Sequence, residues 1–148
     1  ESHLRYGIET WGGTAATNME RVLKQQKRVI RCLAGTTQQE SCKDYFKELK
    51  ILTVVSLYIQ QTILHATTTQ LIRHRDIHQH NTRHASDFTL PIHHLSLTEK
   101  KPSYKGAVFF NHLPEDLKKE TNPSRFKNQL TLWLLERPFY SEKEFTGT

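Results

Sequence analysis

Thr53-Val54-Val55-Ser56-Leu57-Tyr58-Ile59-Gln60-Gln61-Thr62-Ile63-Leu64-His65-Ala66-Thr67-Thr68-Thr69-Gln70-Leu71-Ile72 carries two rows of apolar side chains at helical spacing. Val55, Ile59, Ile63 and Ala66 make one row, and Leu57, Leu64 and Leu71 make the other. A helix that is apolar over much of its circumference must be covered by neighbours on several sides. The segment is therefore predicted to be the central helix, with the rest of the chain packed around it. Thr67–Thr69 weaken its last turns, because β-branched side chains lose rotamer freedom in a helix.

On the N-terminal side, Thr17 or Asn18 suits the cap of a helix over Met19–Leu33, and Gly35 suits its left-handed stop. Met19, Val22, Leu23, Ile30 and Leu33 form its apolar face. Arg21, Lys24, Lys27, Arg28 and Arg31 share its other turns with the single acid Glu20, so the helix is amphipathic with a basic outer face. Ser41 suits the cap of a shorter helix over Lys43–Lys50 with a Tyr45, Phe46 and Leu49 stripe. On the C-terminal side the helical period is lost from Arg73 to about Ser103, where Pro91 and Pro102 bias the residues before them towards extended backbone. The alternating piece Phe88–Ile92 suits an edge strand. Pro114 with Glu115 and Asp116 opens a short helix whose positive end the two acids favour. Asn122-Pro123 begins another with Phe126, Leu130, Trp133 and Leu134 at helical spacing, and Ser141–Glu144 matches a capping box. The expected fold is mainly α: a small helical bundle over 1–72, a long irregular basic, His-rich loop or arm over 73–103, and short C-terminal helices over 104–148 packing on the first part.

Composition sets the outer limits. The 148 residues suffice for one domain. Apolar residues make up 36%, below the roughly 45–50% of an ordinary domain, so much of the chain is expected to be surface, loop or interface. The only Met is residue 19 and residue 1 is Glu, from which the chain is expected to be a piece of a longer or processed polypeptide. It has no run of 18 apolar residues, and Glu1, Arg5 and Glu9 interrupt any signal-peptide core, so a soluble chain without membrane contact is expected. Two cysteines, Cys32 and Cys42, exclude a multi-bridge disulfide framework and any four-cysteine metal site. They read as two free thiols in a reducing compartment.

The net charge of +6 is unevenly placed. Residues 1–72 hold nine basic and six acidic side chains, residues 73–105 six and three, and residues 106–148 six of each. The excess concentrates in the Met19–Leu33 helix and in the middle segment, where Arg73, Arg75, Arg83, Lys100, Lys101 and Lys105 accompany Tyr104. Cations aligned along a helix suit a sugar-phosphate backbone, and an aromatic among cations suits a base or ribose. His74, His78, His80, His84, His93 and His94 crowd the same segment. His74–His78 and His80–His84 have the four-residue spacing that could face one ion from a helix, but the segment lacks helical periodicity and cysteine, and its carboxylates Asp76 and Asp87 have no recognised motif around them, so polar or nucleic-acid-facing histidines are the stronger reading. No nucleophile elbow, phosphate-cradling glycine loop, His-Glu-x-x-His or Asp–Asp pair is present, and Glu115–Asp116 sits where it serves a helix dipole.

Ser2-His3-Leu4-Arg5-Tyr6-Gly7-Ile8 with Trp11-Gly12, Gln26-Lys27-Arg28-Val29-Ile30-Arg31 and Phe46-Lys47-Glu48-Leu49-Lys50-Ile51-Leu52 occur in that order. They are followed by His80-Asn81-Thr82-Arg83, by Ser103-Tyr104-Lys105-Gly106 with Phe110-Asn111-His112-Leu113-Pro114, and by Phe126-Lys127 through Phe139-Tyr140-Ser141. The series resembles the region after the polymerase domain of jockey-like non-LTR (LINE-type) retrotransposon reverse transcriptases, and it covers nearly the whole chain. The sequence departs from that pattern at Thr36-Thr37-Gln38, where a proline-containing turn is common, and between Ile72 and His80. The resemblance implies a thumb-like region and C-terminal extension of an RNA-directed DNA polymerase, not active by itself. The polymerase carboxylates of a Tyr/Phe-x-Asp-Asp turn and their Mg2+ have no counterpart here, and no cofactor is expected in this chain.

The implied partners are template–primer RNA and DNA and the rest of the reverse transcriptase, with no small-molecule substrate. The implied setting is an intracellular ribonucleoprotein in cytoplasm and nucleus. Arg21, Lys24, Lys27, Arg28 and Arg31 would meet the backbone, with Tyr6, Trp11, Leu23 and Ile30 packing the helix's other face. His80, Asn81, Arg83, Lys100, Lys101, Tyr104 and Lys105 would add contacts from the middle segment. The competing readings are a stand-alone basic module for an acidic partner and a His-rich metal binder.

Overall fold

The computed structural model describes residues 2–13, 16–36, 41–68, 73, 76, 83–90 and 101–147. Nine helices form among them: α1 (Ser2–Arg5), α2 (Ile8–Trp11), α3 (Ala16–Ala34), α4 (Lys43–Glu48), α5 (Val54–Thr68), α6 (Pro102–Asn111), α7 (Glu115–Lys118), α8 (Pro123–Leu135) and α9 (Glu142–Thr146). The fold is a small, mainly α-helical domain with no sheet among the described residues. An antiparallel bridge joins Arg73 to Phe88; of the edge strand expected at Phe88–Ile92, Thr89 and Leu90 are not in a strand, and Pro91 and Ile92 lie outside the described residues.

Helix α5 is the centre, as its two apolar rows require. Val54, Val55, Leu57, Tyr58, Ile59, Ile63 and Ala66 are all buried, and α1, α2, α3, α6 and α8 pack on it. Its buried polar residues are spent on holding its ends and neighbours. Thr53 caps it by accepting from the Ser56 N–H at 3.1 Å, and its hydroxyl donates to the Phe139 carbonyl at 2.6 Å. Gln60 donates to the Thr131 hydroxyl of α8 at 2.6 Å, and the Thr62 hydroxyl donates back to the Tyr58 carbonyl at 2.8 Å. Helix α6 lies closest, because Gly106 has no side chain to hold it off the Thr62 carbonyl. The C-terminal helices are knitted to α6 by rings: Phe109 meets Tyr58 at 5.9 Å and Phe145 at 5.6 Å, and Phe110 meets Phe88 at 4.7 Å and Phe126 at 5.9 Å. Apolar bodies of this size each contribute about 1.5–3 kcal/mol on burial.

Helix ends follow local chemistry. Gly35 takes φ 68°, with Thr36 N–H donating to Arg31 O and Gly35 N–H to Cys32 O, the paired bonds of a Schellman stop. Asn122 caps α8 by accepting from the Ser124 and Arg125 N–H groups, with Pro123 in the first turn. Ser141 caps α9 by accepting from Glu144 N–H at 3.2 Å. The reciprocal bond of a capping box is displaced by one residue, since the Glu144 carboxylate accepts from Tyr140 N–H at 3.3 Å.

Other boundaries differ from expectation. Helix α3 starts at Ala16, so Thr17 and Asn18 lie inside it. The cap position of α4 is Cys42, with no side-chain cap bond. Pro114 precedes α7 as its cap instead of opening its first turn. Pro102 begins α6 instead of belonging to the arm, and Lys101 before it takes the extended backbone (ψ 137°) that a following proline favours. Tyr6 is 88% exposed and does not pack on α3, while Leu33 and Leu49 lie outside the core. Both cysteines are free: Cys32 is exposed, and Cys42 is buried with Ile30 and Phe46.

The Tyr58 side chain is fully buried, and its hydroxyl finds no hydrogen-bond partner among the described residues. Burial, with the Glu142 charge adding, pushes its phenol well above the usual value near 10. Burial also pushes Tyr140 up, to about 12. A raised folded-state pKa favours the neutral phenol, so this contribution is intact below about pH 10 and is lost as pH rises from there. Replacing Tyr58 by Phe removes one of the two phenols and a desolvated hydroxyl. The expected result is unchanged or higher stability at pH 7, by up to about 1 kcal/mol, and a smaller loss on the alkaline side. Thermal melts of both proteins at neutral and alkaline pH measure it. A Y58F protein clearly weaker at pH 7 would mean that the hydroxyl holds a bond.

Candidate nucleic-acid interface

At about 100° per residue, Met19, Leu23, Gln26 and Ile30 fall on one side of α3 and are buried, while Arg21, Lys24 and Arg28 fall opposite and are exposed. None of these three cations is in an ion pair among the described residues. They span about 10 Å of helix axis, the rise of roughly three base steps. The buried side includes one polar group, and it explains why the basic face points outward. The Gln26 amide donates to the Leu52 carbonyl at 2.7 Å and accepts from the Val54 N–H at 2.8 Å, fixing α3 against the first turn of α5.

Lys27 and Arg31 lie on a flank. The Lys27 ammonium sits 4.0 Å from the centre of the Tyr140 ring, and Lys43 approaches the same ring at 4.8 Å while pairing with Glu144 at 2.8 Å. The raised phenol, held up by burial first and the Cys42 thiol second, stays neutral at physiological pH. Tyr140 therefore holds both lysines through its ring face. Arg31 is half-buried, with its Nε unpartnered among the described residues. On the other flank Val29 and Leu33 are 58% and 62% exposed.

The middle segment divides differently. His80, Asn81 and Lys100 lie outside the described residues. Arg83 is exposed in a turn, Lys101 is exposed before α6, and Tyr104 is half-buried in it. Lys105 pairs with Glu142 at 2.8 Å. It lines a cleft of about 520 Å3 with Glu20, Glu142 and Lys143, where charges of both signs meet. The structure thus brings Arg21, Lys24 and Arg28 together on one surface and puts Lys101, Tyr104 and Lys105 on a different element.

Sequence reasoning did not find a polar network beneath this segment. The Lys118 side chain is buried, with its ammonium 2.5 Å from Asp87 and 3.1 Å from Glu115, and Asp87 also lies 3.1 Å from His84 Nδ1. His84, Asp87 and Glu115 bring three possible metal-ligand atoms within 4.8 Å of one another, but the Lys118 ammonium already joins the two carboxylates. Nearby, Asn111 reads both backbone groups of Phe88, accepting from its N–H at 2.8 Å and donating to its carbonyl at 3.1 Å. Arg73 stacks over Phe88 and Phe110 at 4.7 and 5.2 Å. The i, i+3 spacings of His84 with Asp87 and of Glu115 with Lys118 were the local signals for this network; the Asp87–Lys118 pair joins residues far apart in sequence. No protein-family model, no curated protein and no solved structure matches the chain, so the interface rests on its own residues.

Proposed function

We propose that this chain holds nucleic acid through the outer face of α3, as the thumb-like C-terminal part of a retrotransposon reverse transcriptase whose polymerising carboxylates and Mg2+ belong to another part of the enzyme. The observation that carries the reading is the alignment of Arg21, Lys24 and Arg28, none in an ion pair among the described residues, on a helix whose opposite side is locked into the core. Such a row contacts phosphates along a strand and positions a duplex without reading its bases. The exposed Val29 and Leu33 beside it suit contact with the body of such an enzyme better than contact with phosphate.

Replacing Arg21, Lys24 and Arg28 together by Ala leaves the buried face untouched. The variant is expected to bind an RNA–DNA hybrid more weakly, and its salt dependence should flatten by about one unit of slope per lost phosphate contact. Fluorescence anisotropy over a salt series gives both quantities. Equal affinity and slope would remove α3 from the interface, and binding of an acidic polypeptide in preference to the hybrid would favour a protein partner.

A further inference from the structure

A second basic surface lies at the opposite end of α5 from the α3 contact. Gln26 grips the first turn of α5, whereas Thr67 lies 13 residues on, or about 20 Å along the axis. There Leu64, Phe110 and Phe126 contribute apolar lining to a cleft of about 630 Å3, a size usual for sites that take small organic ligands. Arg73, Lys119, Lys127 and Ser124 line it, together with Thr67 and Thr68, whose hydroxyls donate to the Leu64 and His65 carbonyls of α5 at 2.8 Å each. The Arg73 guanidinium is positioned by its stacking on Phe88 and Phe110 and by a 3.4 Å bond to the Ser86 carbonyl. Lys119 and Lys127 are exposed and form no ion pair among the described residues. Lys118 also lines the cleft, but its ammonium is committed to Asp87 and Glu115. Glu120, the one acid in the lining, accepts from the Asn122 N–H at 3.1 Å. The first N–H groups of α8 are taken by the Asn122 cap, so the anion-attracting groups here are side chains.

A cleft whose lining combines apolar side chains with several cations and a single acid matches a ligand that is apolar over one part and anionic over another. We infer that it binds a nucleotide unit, with the base against the apolar lining around Leu64 and the phosphate between Lys119 and Lys127. The unit comes either from a free nucleotide or from one residue of a single strand. This site is separate from the α3 face and does not rest on the role proposed for that helix.

Titration of the full chain with AMP, adenosine and inorganic phosphate, followed by calorimetry or amide chemical shifts, tests it. AMP is expected to saturate, with adenosine and phosphate each at least about tenfold weaker, since each keeps only one half of the contacts. K119A/K127A alters two exposed side chains, and its fold is checked by far-UV circular dichroism. It is expected to weaken AMP by about tenfold or more, while the Arg21, Lys24 and Arg28 variant binds AMP as the parent does. A single-stranded oligoribonucleotide that displaces AMP identifies the strand as the source, and one that binds without displacing it identifies the free nucleotide. Absence of saturable AMP binding, or full binding by K119A/K127A, overturns the proposal.

Discussion

Gly106→Ala is expected to destabilise the chain by about 3 kcal/mol or more, at the upper end of what a single added methyl group costs in a packed interior. A Cβ at this position would stand 2.0 Å from the Thr62 carbonyl oxygen, 2.7 Å from its carbon and 2.8 Å from the Ala66 Cβ. Two of these three are backbone atoms of α5, the most buried helix, and they cannot move aside as the tip of a flexible side chain would. Alanine is a better helix former than glycine by about 1 kcal/mol, which offsets part of the cost without reversing it. Separating the helices enough to admit the methyl would also loosen Phe109 from Tyr58 and Phe110 from Phe88, because these rings flank the crossing. Urea unfolding followed by circular dichroism gives the difference, and Gly106→Val should leave little folded protein. An unchanged midpoint for the alanine variant would mean that α5 and α6 do not approach so closely.

The expectation of a central helix succeeded over Val54–Thr68, the part of Thr53–Ile72 within the described residues, and that of a capped α8 and α9 succeeded too, because those features are local. An apolar row, an Asn-Pro pair or a Ser-x-x-Glu box is complete within a few residues, and Gly35 announced its own left-handed stop. What failed was whatever depends on which neighbour arrives. Leu33 has the same period as Ile30, yet Ile30 meets Phe46 and Cys42 while Leu33 is left 62% exposed. Gly106 reads in sequence as one small residue in a Tyr-Lys-Gly-Ala run, and its role as the crossing point exists only once Thr62 is opposite it. Gln26 stood within a basic motif and carried no sign of a buried role in the sequence. Its amide turns inward because its oxygen accepts from the Val54 N–H, one of the N–H groups that a helix start leaves without an intrahelical partner, while its NH2 donates to the Leu52 carbonyl just before α5.

The candidate interface shows the same division. The basic character of α3 was legible, but the separation of Arg21, Lys24 and Arg28 from Lys27 and Arg31 required Tyr140, more than a hundred residues later, to arrive on one flank. Lys105 looked free beside Tyr104 until α9 brought Glu142 to it. Charge runs therefore indicated which helix faces outward, and long-range packing settled which cations remain available.

Asp87→Ala is expected to cost about 3 kcal/mol, because it strips the nearest partner from an ammonium that cannot reach water. Lys118 is 4% exposed, and of its two carboxylates Asp87 is the closer and more buried. Removing one partner of a buried pair leaves the other charge uncompensated, which costs far more than the pair contributed when intact. Glu115 remains 3.1 Å away and softens the loss, so the effect should fall at the low end of the range for broken buried pairs. Lys118→Met fills nearly the same volume without a charge and leaves Asp87 with His84 as its partner, so a smaller cost is expected. The decisive quantity is the coupling. If the pair acts as described, D87A/K118M is less destabilised than the two single changes add up to, by about 1–3 kcal/mol, since neither residue then leaves a stranded charge. Unfolding in urea of the parent, the two single variants and the double variant closes the cycle, provided each transition is two-state. Strict additivity, or an Asp87→Ala protein within about 0.5 kcal/mol of the parent, would show that Lys118 is solvated in solution and that the segment from Arg83 to Leu90 is held mainly by Asn111 on Phe88 and by the Phe88–Phe110 stack.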